Sequence, residues 1–103
     1  MIDRAIPSEI HVGPHRYKVR VESEPFVSDD NQTVLCGEAD HNQCLIRIMD
    51  RNPDMMFTTL WHEILHAIND FSGTDLSEDV VSRLAPALVM VLIDNGYVSR
   101  EPS

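Results

Sequence analysis

The amino-acid sequence predicts a single α+β domain, and three observations lead there. Strand-like alternation occupies the first half of the chain. Two stretches with helical spacing of apolar residues, each opened by a capping signal, occupy the second. A length of 103 residues suits one modest core and is too short for two, and the hydrophobic fraction of 43% is ordinary for a globular chain. Residues 1–103 are therefore read as one domain, with 1–8 and 97–103 as loose ends.

Residues 1–8 form a lead-in closed by Pro7, and Ile10 to Val21 carry the first strand signal. Tyr17, Val19 and Val21 alternate with Lys18 and Arg20, predicting one buried and one wet face. Gly13-Pro14 predicts a turn between two short strands, and His11 and His15 around it read as exposed. Glu22 to Asp30, with Pro25 and the pair Asp29-Asp30, reads as loop. Thr33 to Glu38 and Gln43 to Met49 form a predicted hairpin across Ala39-Asp40-His41-Asn42, with Leu45, Ile46 and Ile48 as its apolar side chains. His41 at the tip reads as turn chemistry, with an approach to a metal as the lesser alternative.

Asn52-Pro53-Asp54 opens the first helix, with Asn at the N-cap, Pro at the first helical position and Asp at the positive dipole end. Gly73 closes it. Phe57, Leu60, Ile64, Ile68 and Phe71 recur on one face, widened by Trp61, and that stripe is expected to meet the core. Ser72 to Asp75 forms a short connection, and Ser77-Glu78-Asp79 gives an N-cap with acids in the first turn. Val81, Leu84, Ala85, Leu88, Val91 and Leu92 form the stripe of the second helix. Pro86 within it is expected to kink or split the helix, and Asn95-Gly96 to end it.

The net charge of −9 argues against direct binding to a nucleic-acid backbone, which needs a basic patch. The longest apolar run, Leu84 to Ile93, is too short to cross a bilayer and contains Pro86, so no membrane partner is expected. Met1-Ile2-Asp3-Arg4 lacks the regions of a signal peptide, and the expected location is the cytoplasm. Cys36 and Cys44 are candidate cross-strand neighbours, but a reducing compartment favours free thiols.

The chemistry sits in His62-Glu63-Ile64-Leu65-His66, the H-E-x-x-H pattern. On a helix, positions four apart stand one above the other, so His62 and His66 can direct two ring nitrogens at one divalent zinc ion. Glu63 is turned about 100° from His62, which lays its carboxylate beside the metal as a base for a metal-bound water. On the helical wheel both histidines point away from the core stripe, alongside Thr58 and Asn69. Two solvated surface histidines are the competing reading. A carboxylate-bridged di-metal bundle would need a second Glu-x-x-His on a helix besides Glu63 and His66, and the other match, Glu38 to His41, runs into the predicted hairpin turn.

A hydrolytic zinc site uses three protein ligands and keeps a position open for water. Glu78, Asp79, Asp75 and Asp70 are the candidates for the third. Glu78 is favoured because it lies at the edge of the second helix's stripe and can reach back across a helix–helix contact. Asp79 is rotated to the far side, Asp70 suits a hydrogen-bond acceptor for a ligand imidazole, and Asp75 in the connection stays open. For Glu78 the competing role is a first-turn acid balancing the helix dipole.

Gly37-Glu38-Ala39-Asp40, Gln43 to Ile48, Thr59 to Ala67, and Leu76-Ser77-Glu78-Asp79 before a helix closing on Asp94-Asn95 resemble, in that order, a known group. It comprises the small zincin-like metallopeptidases of phages and prophages, related in plan to the ImmA/IrrE group and more distantly to SprT-like domains. The resemblance runs from about Val34 to Asn95, with H-E-x-x-H as its one sharply specific motif. It implies a minimal zincin-like fold: a small antiparallel sheet of three to four strands on two helices, the motif on the first long helix, and an edge strand beside the metal to hold an extended peptide. It also implies a gluzincin set of His62, His66 and Glu78 as ligands and Glu63 as base. A metzincin would need Gly and His where Asn69 and Ser72 stand. A YbeY-type endoribonuclease would need a third His where only Asp70 is near.

The expected function is that of a zinc-dependent metallopeptidase acting on a peptide or protein through a metal-activated water, with Glu63 as general base. The expected setting is the cytoplasm of a bacterial host. No oxyanion donor is evident, with His41 and His15 as the available guesses. The alternative from another class is a zinc-stabilised binding or regulatory module with weak turnover.

Overall fold

The alternation at the start of the chain folds as a hairpin. Strand β1 (Glu9–Val12) and strand β2 (His15–Glu22) pair antiparallel with Val12 opposite His15, and Gly13 turns the chain at φ 58°. Tyr17 is buried as expected, whereas Val21, further along the same face, is largely exposed. The computed structural model describes residues 6–27 and 34–98. Asp29-Asp30, Thr33 and the outermost parts of both expected loose ends lie outside the described residues.

The middle of the chain departs from the expectation. The stretch read as loop contains strand β3 (Phe26–Val27), which pairs antiparallel with β4 (Val34–Leu35) in a separate ribbon. The expected strand Thr33–Glu38 divides at Cys36. Beyond the bend, β5 (Gly37–Asp40) pairs antiparallel with β6 (Leu45–Met49), Gly37 opposite Ile48 and Asp40 opposite Leu45. Ala39 and Asp40 are strand, and the turn comes later. There the Asp40 carboxylate accepts the backbone N–H groups of Asn42 at 3.0 Å and Gln43 at 3.1 Å, which makes Asp40 the organiser of the turn. Cys36 lies beside Met49 and Cys44 in the turn, so the two free thiols are not cross-strand neighbours.

The four-stranded sheet has the order β1-β2-β6-β5 and is mixed, which corrects the expected all-antiparallel sheet. β2 and β6 run parallel, Lys18 opposite Leu45 through Glu22 opposite Met49. A parallel pair needs a connection of a dozen or more residues, and residues 23–44, with the ribbon and β5, supply it.

Helix α1 (Pro53–Ser72) starts and stops where its caps predict. The Asn52 side chain accepts the Met55 N–H, and Gly73 takes a left-handed φ of 72°. Phe57, Leu60, Ile64 and Ala67 are buried against Tyr17, Ile46 and Ile48 of the sheet. Ile68 and Phe71, at the end of the expected stripe, stay partly in solvent.

Helix α2 (Glu78–Asp94) runs through Pro86 without a break, correcting the expected split. Its buried residues are Val81, Ala85 and Val89. Leu84 is exposed and Val91 is 54% exposed, because α2 packs mainly on the single neighbour α1 and buries a narrow strip. Val81 and Ala85 pack with Leu65 in a second small cluster, while Val89 joins the main core. The expected loose end is anchored at its beginning: Tyr97 and Val98 donate to the Leu92 carbonyl, and Val98 is only 2% exposed. At the other end, Ser8 accepts a bond from Val19. Among the described residues no helix is long and apolar enough to cross a membrane.

Candidate metal centre

The face of α1 turned from the sheet carries His62 and His66, one turn apart, with ring centroids 4.9 Å from each other. Their Nε2 atoms lie 3.2 Å apart. Glu78, the first residue of α2, completes the group: Oε1 is 3.0 Å from His62 Nε2, and Oε2 is 2.6 Å from His66 Nε2. One nitrogen or oxygen from each residue falls within a 4.8 Å span. Among the described residues, it is the only such group of three or more His, Cys, Asp or Glu side chains.

Several side chains build this convergence. Ser77 caps α2 by accepting the Val80 N–H, which fixes the turn bearing Glu78. Ser82, one turn later, donates to Glu78 Oε1 at 3.3 Å. From α1, Asn69 holds the connection: its Oδ1 accepts the Leu76 N–H at 3.1 Å and the Thr74 hydroxyl, and its Nδ2 reaches the Leu76 carbonyl at 3.4 Å. In the sequence, Asn69 stands out as a wheel-mate of the histidines and as a departure from the metzincin pattern, not as a brace for the connection. That shared face was the available signal, since a side chain there meets whatever Glu78 arrives with.

The donor set fits a zinc ion. Two imidazole nitrogens and one carboxylate make up a hydrolytic zinc set. With bonds of about 2.0–2.1 Å in tetrahedral geometry, two nitrogen ligands stand roughly 3.3 Å apart, close to the separation found between the histidines.

Among the described residues, Glu63 is the one buried charged side chain, 5% exposed. Burial, then the negative charges of Glu78 and Glu38, push its carboxyl up to about 8. It lines a hollow of about 270 Å³ together with Gly37, Thr59, His62 and Glu78. A larger apolar hollow of about 750 Å³ lies on another flank of α1, beside Leu60, Ile64, Ile68 and Phe71, and none of the three converging residues lines it.

The other candidates are elsewhere. Asp79 pairs with Arg83 at 2.8 Å in solvent, and neither Asp75 nor Asp70 joins the group. Asp70 instead adds to the rise of the Tyr17 hydroxyl pKa, behind burial and Cys44. His41 Nδ1 is 3.0 Å from the Tyr17 hydroxyl, His15 meets the edge of Phe71, and His11 contacts Glu9. None of these three histidines stands with His62 and His66 in the group. Compared with family models, curated proteins and solved structures, the chain matches none of them.

Proposed function

We propose that the chain is a zinc-dependent metallopeptidase of gluzincin type, acting on a peptide or protein with Glu63 as general base. The convergence of His62, His66 and Glu78 within 4.8 Å is the observation that carries this reading. Bound there, zinc supplies Lewis acidity, polarising a peptide carbonyl and acidifying a water molecule. Glu63 does the proton work: its carboxylate takes the proton of the attacking water and returns it to the leaving amine. Burial, Glu78 and Glu38 all favour its protonated form, so the carboxyl is suited to holding the proton it takes up. A cation on Glu78 also turns one of the repulsions acting on Glu63 into attraction.

The surroundings support a peptide substrate. β5 is an edge strand of the sheet, and Gly37 at its start lines the hollow that holds Glu63. An extended chain can add to such an edge. The proposed compartment is the cytoplasm, of a bacterial host if the gene is carried by a phage or prophage.

The test starts with protein purified without an affinity tag. Wild type is expected to carry about one zinc per chain, and Glu78→Ala much less. Glu63→Gln should keep the metal and lose hydrolysis of a peptide pool by roughly 10²- to 10⁴-fold. Wild type unable to take up zinc removes the reading. Zinc retained with no cleavage of any peptide in the pool turns it towards a zinc-stabilised binding module.

A further inference from the structure

We propose that Gly37 is a positioning residue for Glu63: the missing side chain at the start of β5 is what lets the edge strand close on the carboxylate and hold it in the hollow lined by His62 and Glu78. This rests on the peptidase reading for its catalytic meaning, but its geometry stands by itself. Gly13, Gly73 and Gly96 all adopt positive φ, so their backbone conformation calls for glycine. Gly37 does not. It sits in a regular antiparallel pair opposite Ile48, where any residue fits the backbone.

The reason for glycine lies across the gap to α1. A Cβ at position 37 would stand 2.5 Å from Thr59 Cγ2, 2.8 Å from Glu63 Oε2 and 3.2 Å from Glu63 Cγ. The first two are closer than real Cβ contacts come, so something has to move. Thr59 is β-branched and held in few rotamers on a helix, so its methyl cannot simply retreat. Glu63 has the freer side chain, and its carboxylate end would be the group driven away. Thr59 and Glu63 are four apart on α1, one turn of the helix facing one glycine of the strand. A side chain at 37 would also fill the hollow that the two residues share with His62 and Glu78.

A melting comparison on metal-free protein isolates the contact from any activity. Thr59→Ser removes the obstructing methyl and keeps the fold accessible. In that background Gly37→Ala leaves mainly the conflict with Glu63, and is expected to lower the melting midpoint by roughly 5–15 °C through overpacking. Adding Glu63→Ala should recover more than half of that loss, because the obstructed side chain is gone. A loss of the same size with and without the Glu63 side chain overturns the proposal.

The second arm reads catalysis on a peptide that wild type cleaves. Thr59→Ser with Gly37→Ala, compared with Thr59→Ser alone, should keep its zinc and its KM while kcat falls at least roughly tenfold. A kcat unchanged at full zinc content overturns the proposal. Should wild type cleave nothing, the hydrolytic reading fails, while the melting comparison still decides whether Gly37 holds Glu63.

Discussion

Glu63 places a carboxyl group where water hardly reaches, and this makes a signed prediction for the metal-free chain. Its folded pKa of about 8 lies above the value of about 4.3 it would have unfolded. The folded state then holds a proton that the unfolded state releases between those limits. Stability from this group is therefore greatest below pH about 4, falls as pH rises through the window, and levels off above about 8. Urea midpoints of chelator-treated wild type should fall relative to Glu63→Gln between pH 5 and pH 9, and two parallel curves would remove the burial account. At this scale the sequence was most informative. His62, Glu63 and His66 were legible as neighbours because a helix turns spacing into direction, and Glu78 because it opens the next helix opposite that face, although its side chain stays 67% exposed. The close approach at Gly37 and the bonds of Asn69 were not legible, since they depend on what arrives opposite from another element.

At the scale of elements, caps and the two local hairpins proved readable, and the pairings between distant strands did not. Asn52, Gly73 and Ser77 mark their helix ends through bonds to residues a few positions away, so local sequence suffices. Strand partnership is settled by distant segments. Nothing local in Thr33–Glu38 states that β4 and β5 will serve different partners, or that β6 will enter beside β2 in parallel. The strip of α2 that is buried follows likewise from its having α1 as main neighbour. The capping chemistry also feeds the candidate site. Ser77→Ala should cost about 1 kcal/mol of stability, read by thermal melting. Asn69→Ala should release the 74–76 connection and weaken zinc retention against a chelator roughly tenfold, with Ser82→Ala showing a smaller loss. Unchanged retention in Asn69→Ala would mean that Ser77 and Ser82 place Glu78 without the Asn69 brace.

Over the whole molecule, the converging triad spans the packing of α2 on α1, the one extensive contact of α2 among the described residues. A metal held by His62, His66 and Glu78 would therefore join the two helices as a cross-link. Zinc at about 1,000 times its dissociation constant should add about 4 kcal/mol to folding stability, and the melting midpoint should climb with zinc concentration. The climb should vanish in Glu78→Ala. A midpoint insensitive to zinc in wild type would show that the triad does not bind the ion in the folded state.

The parallel seam between β2 and β6 carries a kinetic consequence. The β1–β2 and β5–β6 hairpins each close over a short turn, so both can form early and unaided. Zipping Lys18 to Leu45 and onwards means first closing the loop of residues 23–44 and bearing its entropy before any seam bond forms. Ile46 and Ile48, the most deeply buried residues of the sheet, lie on that seam and become fully covered only once it closes. On topology alone, closing that seam is the expected slow step of folding.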